Sequence, residues 1–404
     1  MIDRTRVVIV SGIPAGPGGT GRLVGHLATS AKEKGFPLTL VAKPEQLPLW
    51  RLVSLWRQKQ RRVAIGRLIS YAQRTVSFVI QIAYVIFMDR HTGLVLLHPQ
   101  NLGFRLALAL IARRRGPAIL YLLDSSFFCI ASYNYVRGEA RPCLRCLGGR
   151  FDAIADMDCK PFPRAESIAV DYVKALKSYV AAGKLQLLAQ TRIQAELAQR
   201  HFDLLEAPRV VGLWTEDWNE LFEPGVGEGE SCVNSIPTWD FVFHGYPVGA
   251  KGAHWLVDVA RHCESMTFLF PFPKPVGFEA PFNCDFRDMS WETGLREAMR
   301  SAWCTAVPSL WSAPLEGSLV KSLAVARRVA VVENDTSFSG EIPDELVIRL
   351  PRDPKSAATV IRDARAREWT PDPRRKLEWL RAFAGRRSEF FESLIQAAQR
   401  WPAH

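Results

Sequence analysis

Short apolar runs alternate with helical patterns along most of this chain, and that alternation limits the fold more than any other feature. VVIVS (Val7 to Ser11) reads as a buried parallel strand, followed by the glycine-rich GIPAGPGGTGR. A helical pattern (Leu23, Leu27, Ala31) leads through Pro37 to a second strand, Leu38 to Val41. A β-loop-α-β opening of this kind belongs to an open parallel sheet. Gly93 to Leu97 and Ala118 to Leu123 are further strands, separated by the helical run Leu102 to Arg115. LQLLAQ, the helix TRIQAELAQRHF with Thr191 as N-cap, and RVVGL repeat the unit over 185–213. A polar stretch, Glu223 to Ser231, reads as a surface loop.

The pattern then starts again. FVFHG (241–245), MTFLFPF, SAWCTAVPS (301–309) and VAVVEN read as strands, with helices at GAHWLVDVARHC (252–263) and PLEGSLVKSLAVA. Arg374 to Trp401 is helical, apolar at Trp379, Leu380, Phe383, Phe390, Phe391 and Leu394. The expected fold class is α/β: two Rossmann-like domains facing across a cleft, with a C-terminal crossover helix. The expected boundaries are 1–206 for the first domain, 207–385 for the second, and 386–404 for a helix packing back on the first. The first domain would hold a basic helical segment, 46–88, and a cysteine-rich insert, 129–160. A length of 404 residues suits two such cores. Ligands of such sheets bind beyond the C-terminal strand ends, so the cleft is the expected site.

Composition removes other classes. Apolar residues at 48% and charged residues at 23% exclude a mainly disordered chain, and the scattered Gly and Pro exclude collagen-like repeats. The longest apolar run, Val76 to Met88, contains Ser77 and Gln81 and falls short of the ~18–20 residues of a membrane-spanning helix. Arg4 and Arg6 are followed at once by VVIVSGIP, without the long apolar core of a signal peptide. The expected location is therefore cytoplasmic, and the eight cysteines read as thiols or metal ligands.

Two segments carry candidate chemistry. In FHGYPVGAKGAHWLVDVAR a strand ends in a glycine-containing loop, and Lys251-Gly252 opens a helix. A helix N-terminus with a lysine beside it suits a diphosphate; the other reading is an ordinary βα turn with an exposed lysine. In AVPSLWSAPLEGSLVKSLAVARRVAVVEN a strand ends at Pro308-Ser309, and Glu316-Gly317 opens a helix carrying Ser318, Lys321 and Ser322. That helix start suits a nucleotide's phosphates and ribose, or is a structural loop.

Together these segments resemble the retaining GT-B glycosyltransferases of the glycosyltransferase-4 type. In that family a strand precedes Gly-Arg-x(4)-Lys-Gly, and Pro-Ser, Glu-x(7)-Glu and a Gly-x-Pro-Val strand follow. This sequence has Gly245, Lys251-Gly252, Pro308-Ser309, Trp311 and Val329 in register. AQTRIQAELAQRHF and RVVGLWTEDWNELF resemble the end of the family's first domain. GPGGTGRLVGHLATSAKEKGFPLTLVAK, with Gly18, Gly19 and Arg22, resembles its Gly-Gly loop, helix and second strand. LLHPQ (96–100) and YLLDSS (121–126) resemble its two inter-domain strand ends.

The resemblance implies catalytic roles for Asp124, Lys251 and Glu316. It implies donor contacts at Gly18, Gly19, Tyr246, Lys251, Gly252, Ser309, Glu316, Gly317, Ser318 and Lys321, and acceptor-side contacts at His98 and Arg22. Three family positions depart. The diphosphate-binding arginine falls on Tyr246. The two glutamates fall on Ala313 and Lys321, with Glu316 nearby. The histidine of a His-Asp pair falls on Leu123, leaving Asp124. This is the pattern of a divergent branch, with Lys321 and Lys251 holding opposite ends of the diphosphate. Also implied is a front-face transfer with retention, needing no catalytic metal because lysines and helix N-termini stabilise the leaving charge.

Cys143-x2-Cys146, joined by Cys129 and Cys159, suits a structural Zn²⁺, or some of these are buried thiols. Cys232, Cys263, Cys284 and Cys304 read as packing residues. Residues 1–100 hold 14 Lys and Arg against 4 Asp and Glu. Between Glu45 and Asp89 there is no acid, while Arg51, Arg57, Lys59, Arg61, Arg62, Arg67 and Arg74 interleave with Trp50, Trp56, Tyr71 and Phe78. Such a segment suits an anionic membrane surface, here the inner face of the plasma membrane, or is a solvated basic face. His244 reads as structural or as a cleft residue.

The leading expectation is transfer of a sugar from a nucleotide-diphosphate sugar to a glycan or lipid-linked hydroxyl. A GT-B nucleotide-sugar epimerase and a non-catalytic polyanion-binding scaffold are the alternatives. No base-reading motif points to nucleic acid.

Overall fold

The computed structural model describes residues 6–45, 47, 53–54, 56–57, 60–116, 118–136, 138–163, 166–222, 238–387 and 389–399. Trp50, Arg51, Lys59, Cys232, Trp401 and the loop 223–231 lie outside the described residues.

The first sheet is built from β1 (Val7–Ser11), β2 (Leu38–Ala42), β3 (Gly93–Leu97), β4 (Ala118–Tyr121), β7 (Gln186–Ala189) and β8 (Arg209–Val210). Between β4 and β7 the chain inserts a small antiparallel hairpin, β5 (Tyr135–Val136) and β6 (Arg141–Pro142). The order β2-β1-β3-β4-β7-β8 is parallel throughout, with Val7 opposite Leu38 on one side and Gly93 on the other. All five residues of β1 and of β3 are buried, as continuous apolar runs must be when helices cover both faces. The helices are α1 (Gly19–Glu33), α2 (Arg61–Phe87), α3 (Phe104–Ala112), α4 (Glu166–Ala181) and α5 (Arg192–Phe202). Helix α5 starts where expected: Thr191 Oγ1 accepts the amide of Gln194. Strand β8 lies past residue 206.

The second sheet has the order β11-β10-β9-β12-β13-β14, again parallel. Its strands are β9 (Phe241–Phe243), β10 (Phe268–Phe270), β11 (Cys284–Phe286), β12 (Cys304–Ala306), β13 (Val329–Val332) and β14 (Ile348–Leu350). Its helices are α6 (Ala253–Arg261), α7 (Arg296–Ser301), α8 (Gly317–Val325) and α9 (Pro354–Ala366). Phenylalanines stack across neighbouring strands, Phe241 on Phe268 at 5.1 Å and Phe270 on Phe286 at 4.9 Å.

The C-terminal helical stretch is two helices, α10 (Pro373–Arg387) and α11 (Phe390–Gln399). They face different partners, which is why one straight helix does not serve. Helix α10 packs beside α8, and α11 lies against β1 and β3 of the first sheet. Phe390 sits by Tyr121, and Leu394 is fully buried. One apolar cluster therefore runs through both domains, from Val7 and Ile9 through Trp218 and Phe383 to Leu319 and Val320. Among the described residues no helix is long and apolar enough to cross a membrane.

Candidate active site

The C-terminal strand ends of the two sheets face each other across a cavity of about 550 Å³. The first sheet contributes the β1–α1 loop and the residues after β3 and β4; the second contributes the residues after β9 and β12. Of the expected site residues, Gly19, Arg22, His98, Asp124, Tyr246, Lys251, Glu316, Gly317, Ser318 and Lys321 line it. Gly18, Gly252 and Ser309 do not, and each has a supporting place instead. Gly18 is the N-cap of α1. Gly252 has φ +78°, and a Cβ there would meet the Pro308 carbonyl oxygen at 2.1 Å. Glycine is thus required for the loops after β9 and β12 to touch. Ser309, buried, donates to Glu316 Oε1 at 2.7 Å.

Lys251 and Glu316 form one ion pair, Nζ to Oε1 2.6 Å, with Glu316 only 5% exposed. The ammonium also stands 5.0 Å from the centre of the Trp311 ring. Glu316 is the N-cap of α8, so the helix begins at the cavity wall with Gly317 and Ser318. No acid occupies that first turn, and the free amides carry the positive end of the helix dipole toward the cavity.

A second charged cluster also lines the cavity. Lys321 Nζ is 2.5 Å from Asp217 Oδ2, and Arg22 of the first domain pairs with the same oxygen. Burial alone would raise the Asp217 carboxyl. Hydrogen bonds from Lys321 and Thr215 and the charges of Lys321 and Arg22 outweigh it and hold the group below its ordinary range. Burial lowers the Lys321 ammonium while Asp217 works against the fall. Lys321 also lies over Trp291, 4.6 Å from the ring centre. Glu292 stands within charge reach of both Arg22 and Lys321, so two cations here face two carboxylates.

His244, stacked on Trp291, is held neutral: burial, with Lys321 nearby, pushes its pKa down to about 3. Its Nδ1 is 2.9 Å from Ser322 Oγ, whose own proton goes to the Ser318 carbonyl. The ring therefore carries its proton on Nδ1 and donates it to Ser322.

Asp124 follows β4. Its Oδ2 accepts from Gln100 Nε2, and its Oδ1 accepts the Ser126 amide at 2.8 Å. His98 Nε2 lies 4.0 Å from Oδ2. His98 is itself left-handed, φ 51°, at the turn after β3. Burial lowers its pKa, against the pull of Asp124. Asp124 is thus a fixed carboxylate at the cavity wall, an acceptor for a hydroxyl.

The cysteine-rich insert reaches across to the second domain. Asn134, fully buried, donates to Ser312 Oγ at 2.8 Å and accepts the Ser312 amide at 3.1 Å and the Ser125 hydroxyl at 2.9 Å. Tyr133 meets the Trp311 ring edge-on at 4.5 Å. Burial raises the Tyr133 hydroxyl, and Asp124 and Glu316 add to the rise, so this phenol faces both domains' carboxylates. Burial likewise pushes the thiols of Cys129 and Cys146 up, and the neighbouring Cys143 and Cys159 add to both. The four thiols are neighbours. Yet among the described residues no three His, Cys, Asp or Glu side chains are arranged to hold a metal ion. Cys263 and Cys304 are buried thiols and Cys284 is half-buried.

Sequence reasoning gave no role to Tyr133, Asp217, Trp291 or Gln100. The acid of Asp217 between two tryptophans was the only signal among them; Gln100 and Trp291 sit in single helical turns and Tyr133 in a loop, all too short to show a period.

No protein-family model and no curated protein matches this sequence. Solved structures do match along nearly the whole chain. HepE of Anabaena, in complex with UDP and glucose, has 10% identity and a TM-score of 0.56, covering 98% of this chain and 99% of its own. A sucrose-phosphate synthase from Thermosynechococcus elongatus has 14% identity and a TM-score of 0.60, covering 97% and 100%. An α,α-trehalose 6-phosphate synthase from Burkholderia multivorans has 12% identity and a TM-score of 0.53, covering 99% of each chain. With its two parallel six-stranded sheets and the cleft between them, this chain has the GT-B fold of these glycosyltransferases.

Proposed function

We propose that this protein is a glycosyltransferase that moves a sugar from a nucleotide-diphosphate sugar to a hydroxyl of a glycan or lipid-linked acceptor. The observation that carries the reading is the pair of lysines, Lys251 and Lys321, set around the open N-terminus of α8 in a cleft of the GT-B type. The departing nucleoside diphosphate gains negative charge as the C1–O bond breaks. Fixed cations and helix amides stabilise that charge by preorganised electrostatics, without a catalytic metal. In the front-face course with retention, the acceptor oxygen bonds to C1 on the side the phosphate leaves. The acceptor proton passes to a phosphate oxygen. Asp124 orients hydroxyls at the reacting end, and Glu316 holds Lys251 in place.

A thermal-shift screen with UDP, GDP, dTDP, ADP and CMP tests this reading. One nucleoside diphosphate at about 100 times its Kd should stabilise the fold by about 2.7 kcal/mol. HepE was solved with UDP, which makes UDP the first ligand to try. No response to any nucleotide would remove the donor assignment.

Two further elements belong to the same proposal. The peripheral seat on the inner face of the plasma membrane rests on the acid-free run 46–88. The structural Zn²⁺ rests on the neighbouring thiols of Cys129, Cys143, Cys146 and Cys159. Zinc analysis of purified protein decides the latter, about one ion per chain against none.

A further inference from the structure

Helix α2 exposes an apolar face that nothing in the described fold covers. Over 27 residues it buries only Ala64, Ile82 and Val85. Its C-terminal half leans on the first domain's core through Phe78, Ile82, Val85 and Ile86. A different stripe points outward. Ile65, Ile69, Val76, Ile80 and Phe87 recur at helical spacing, with Leu68 and Val79 beside them, and all are exposed. Val76 is 59% and Ile80 63% exposed, far more than a helix built only for its own domain leaves in water.

Basic groups bracket this stripe. Arg61 and Arg62 open the helix, and the Arg61 guanidinium lies over the Trp56 ring at 5.4 Å. At the other end the Arg113 guanidinium lies over Phe87 at 5.0 Å. Arg67 and Arg74 stand on the polar side, and the helix contains no acid. A second copy of α2 would therefore bring arginines against arginines, with no carboxylate on either helix to pair them. The helix is also not apolar enough to cross a bilayer. An anionic lipid surface satisfies both features, phosphates for the arginines and acyl chains for the stripe.

Position adds a consequence. At about 1.5 Å per residue α2 is about 40 Å long, against about 17 Å for a five-residue strand. The chain enters β3 only five residues after α2 ends, at the N-terminal end of the strands, away from the cleft. The N-terminal half of α2 therefore extends toward the cleft side of the sheet. We propose that α2 seats the protein on an anionic bilayer, its stripe from Ile65 to Phe87 in the headgroup–acyl boundary and its flanking arginines on lipid phosphates. The acceptor hydroxyl entering the cleft is then one carried by that bilayer. This last step rests on the glycosyltransferase reading; the docking itself does not.

The test is flotation of the full chain with vesicles of phosphatidylcholine alone or with 30% phosphatidylglycerol (~30 mol%, a usual anionic fraction for such electrostatic docking). Binding to the anionic vesicles should exceed binding to the neutral ones at least tenfold. The variant Val76→Asp/Ile80→Asp should lose at least tenfold of it, with melting temperature and nucleotide response unchanged, since both sites are exposed. Arg61→Glu/Arg62→Glu, at the arginines that flank the stripe, should lose the anionic preference. Equal binding by wild type and the aspartate variant overturns the proposal, as does no vesicle binding by the wild type. A wild-type dimer that the aspartate variant abolishes, without vesicle binding, gives the stripe to a second copy and also overturns it. A missing nucleotide response beside intact flotation would instead count against the enzyme reading alone.

Discussion

Asp217 Oδ2 accepts from Lys321 of the second domain at 2.5 Å and from Arg22 of the first, so one carboxylate ties the two halves together. Lys321 is 8% exposed on its side chain. Asp217→Asn should cost about 3 kcal/mol, the lower end for breaking a buried pair, because Asp217 itself is partly in water. Urea unfolding measures it. A loss within error of zero would mean the bridge contributes nothing.

Lys251→Ala should weaken nucleoside-diphosphate binding by about 10- to 100-fold, the worth of one charge-assisted contact. Calorimetric titration reads it directly. Equal affinity in wild type and variant would take Lys251 out of the donor site. Some loss of stability should accompany the substitution, because Glu316 would stay buried without its cation.

Asp124→Asn keeps the shape and an acceptor for the Ser126 amide while removing the charge, and Gln100 must turn its own oxygen toward the new NH2. Turnover should fall by at least about tenfold, in the range of a lost polar contact to a reacting group, with nucleotide affinity unchanged. Full turnover would strike Asp124 from the reacting end.

His201 and His244 are buried as neutral rings, their pKa values pushed by burial to about 4 and about 3, with Lys177 adding to the first and Lys321 to the second. In the unfolded chain both take up protons near pH 6.5. The unfolded state then binds more protons than the fold below that pH. Stability should be whole above pH 6.5 and fall toward pH 4, by at most about 1.4 kcal/mol per pH unit per histidine. His26 and His98 shift the same way. His201→Asn, which keeps an acceptor for the Gly148 amide, should flatten part of that slope. Identical slopes would show that His201 is not a source of it.

Gly252→Ala places a methyl group against the Pro308 carbonyl in a left-handed residue. The backbone strain alone costs about 1–3 kcal/mol, and the donor loops must part to relieve the clash. A lower melting temperature and weaker nucleotide response are expected together. An unchanged protein would mean these loops do not depend on their contact.

The strands were legible because a sheet covered on both faces demands unbroken apolar runs, and Val7 to Ser11 and Gly93 to Leu97 are such runs. Strands β11 and β14 were not: they lie at the two edges of the sheet, and Asp285 and Arg349 break their apolar runs. The site residues next to helix starts, Lys251, Glu316 and Lys321, could be found because a βα turn announces where its loop points. Asp217 could not, because its role depends on Arg22 and Lys321, one from each domain. Tyr133 escaped for the same reason: it reaches the cleft through an insert whose path no local pattern encodes.

Asn134 belongs to the insert of the first domain, yet it holds the Ser312 loop of the second. The contact with that second-domain loop is thus made by an insert anchored in the first domain's core through Ile130, Leu147 and Ile154, and by neither sheet. In a fold built this way the spacing of the two halves at this point is set by a few residues that line no part of the cavity. Substitutions in the insert would therefore change the width of the cleft while both sheets remain as they are.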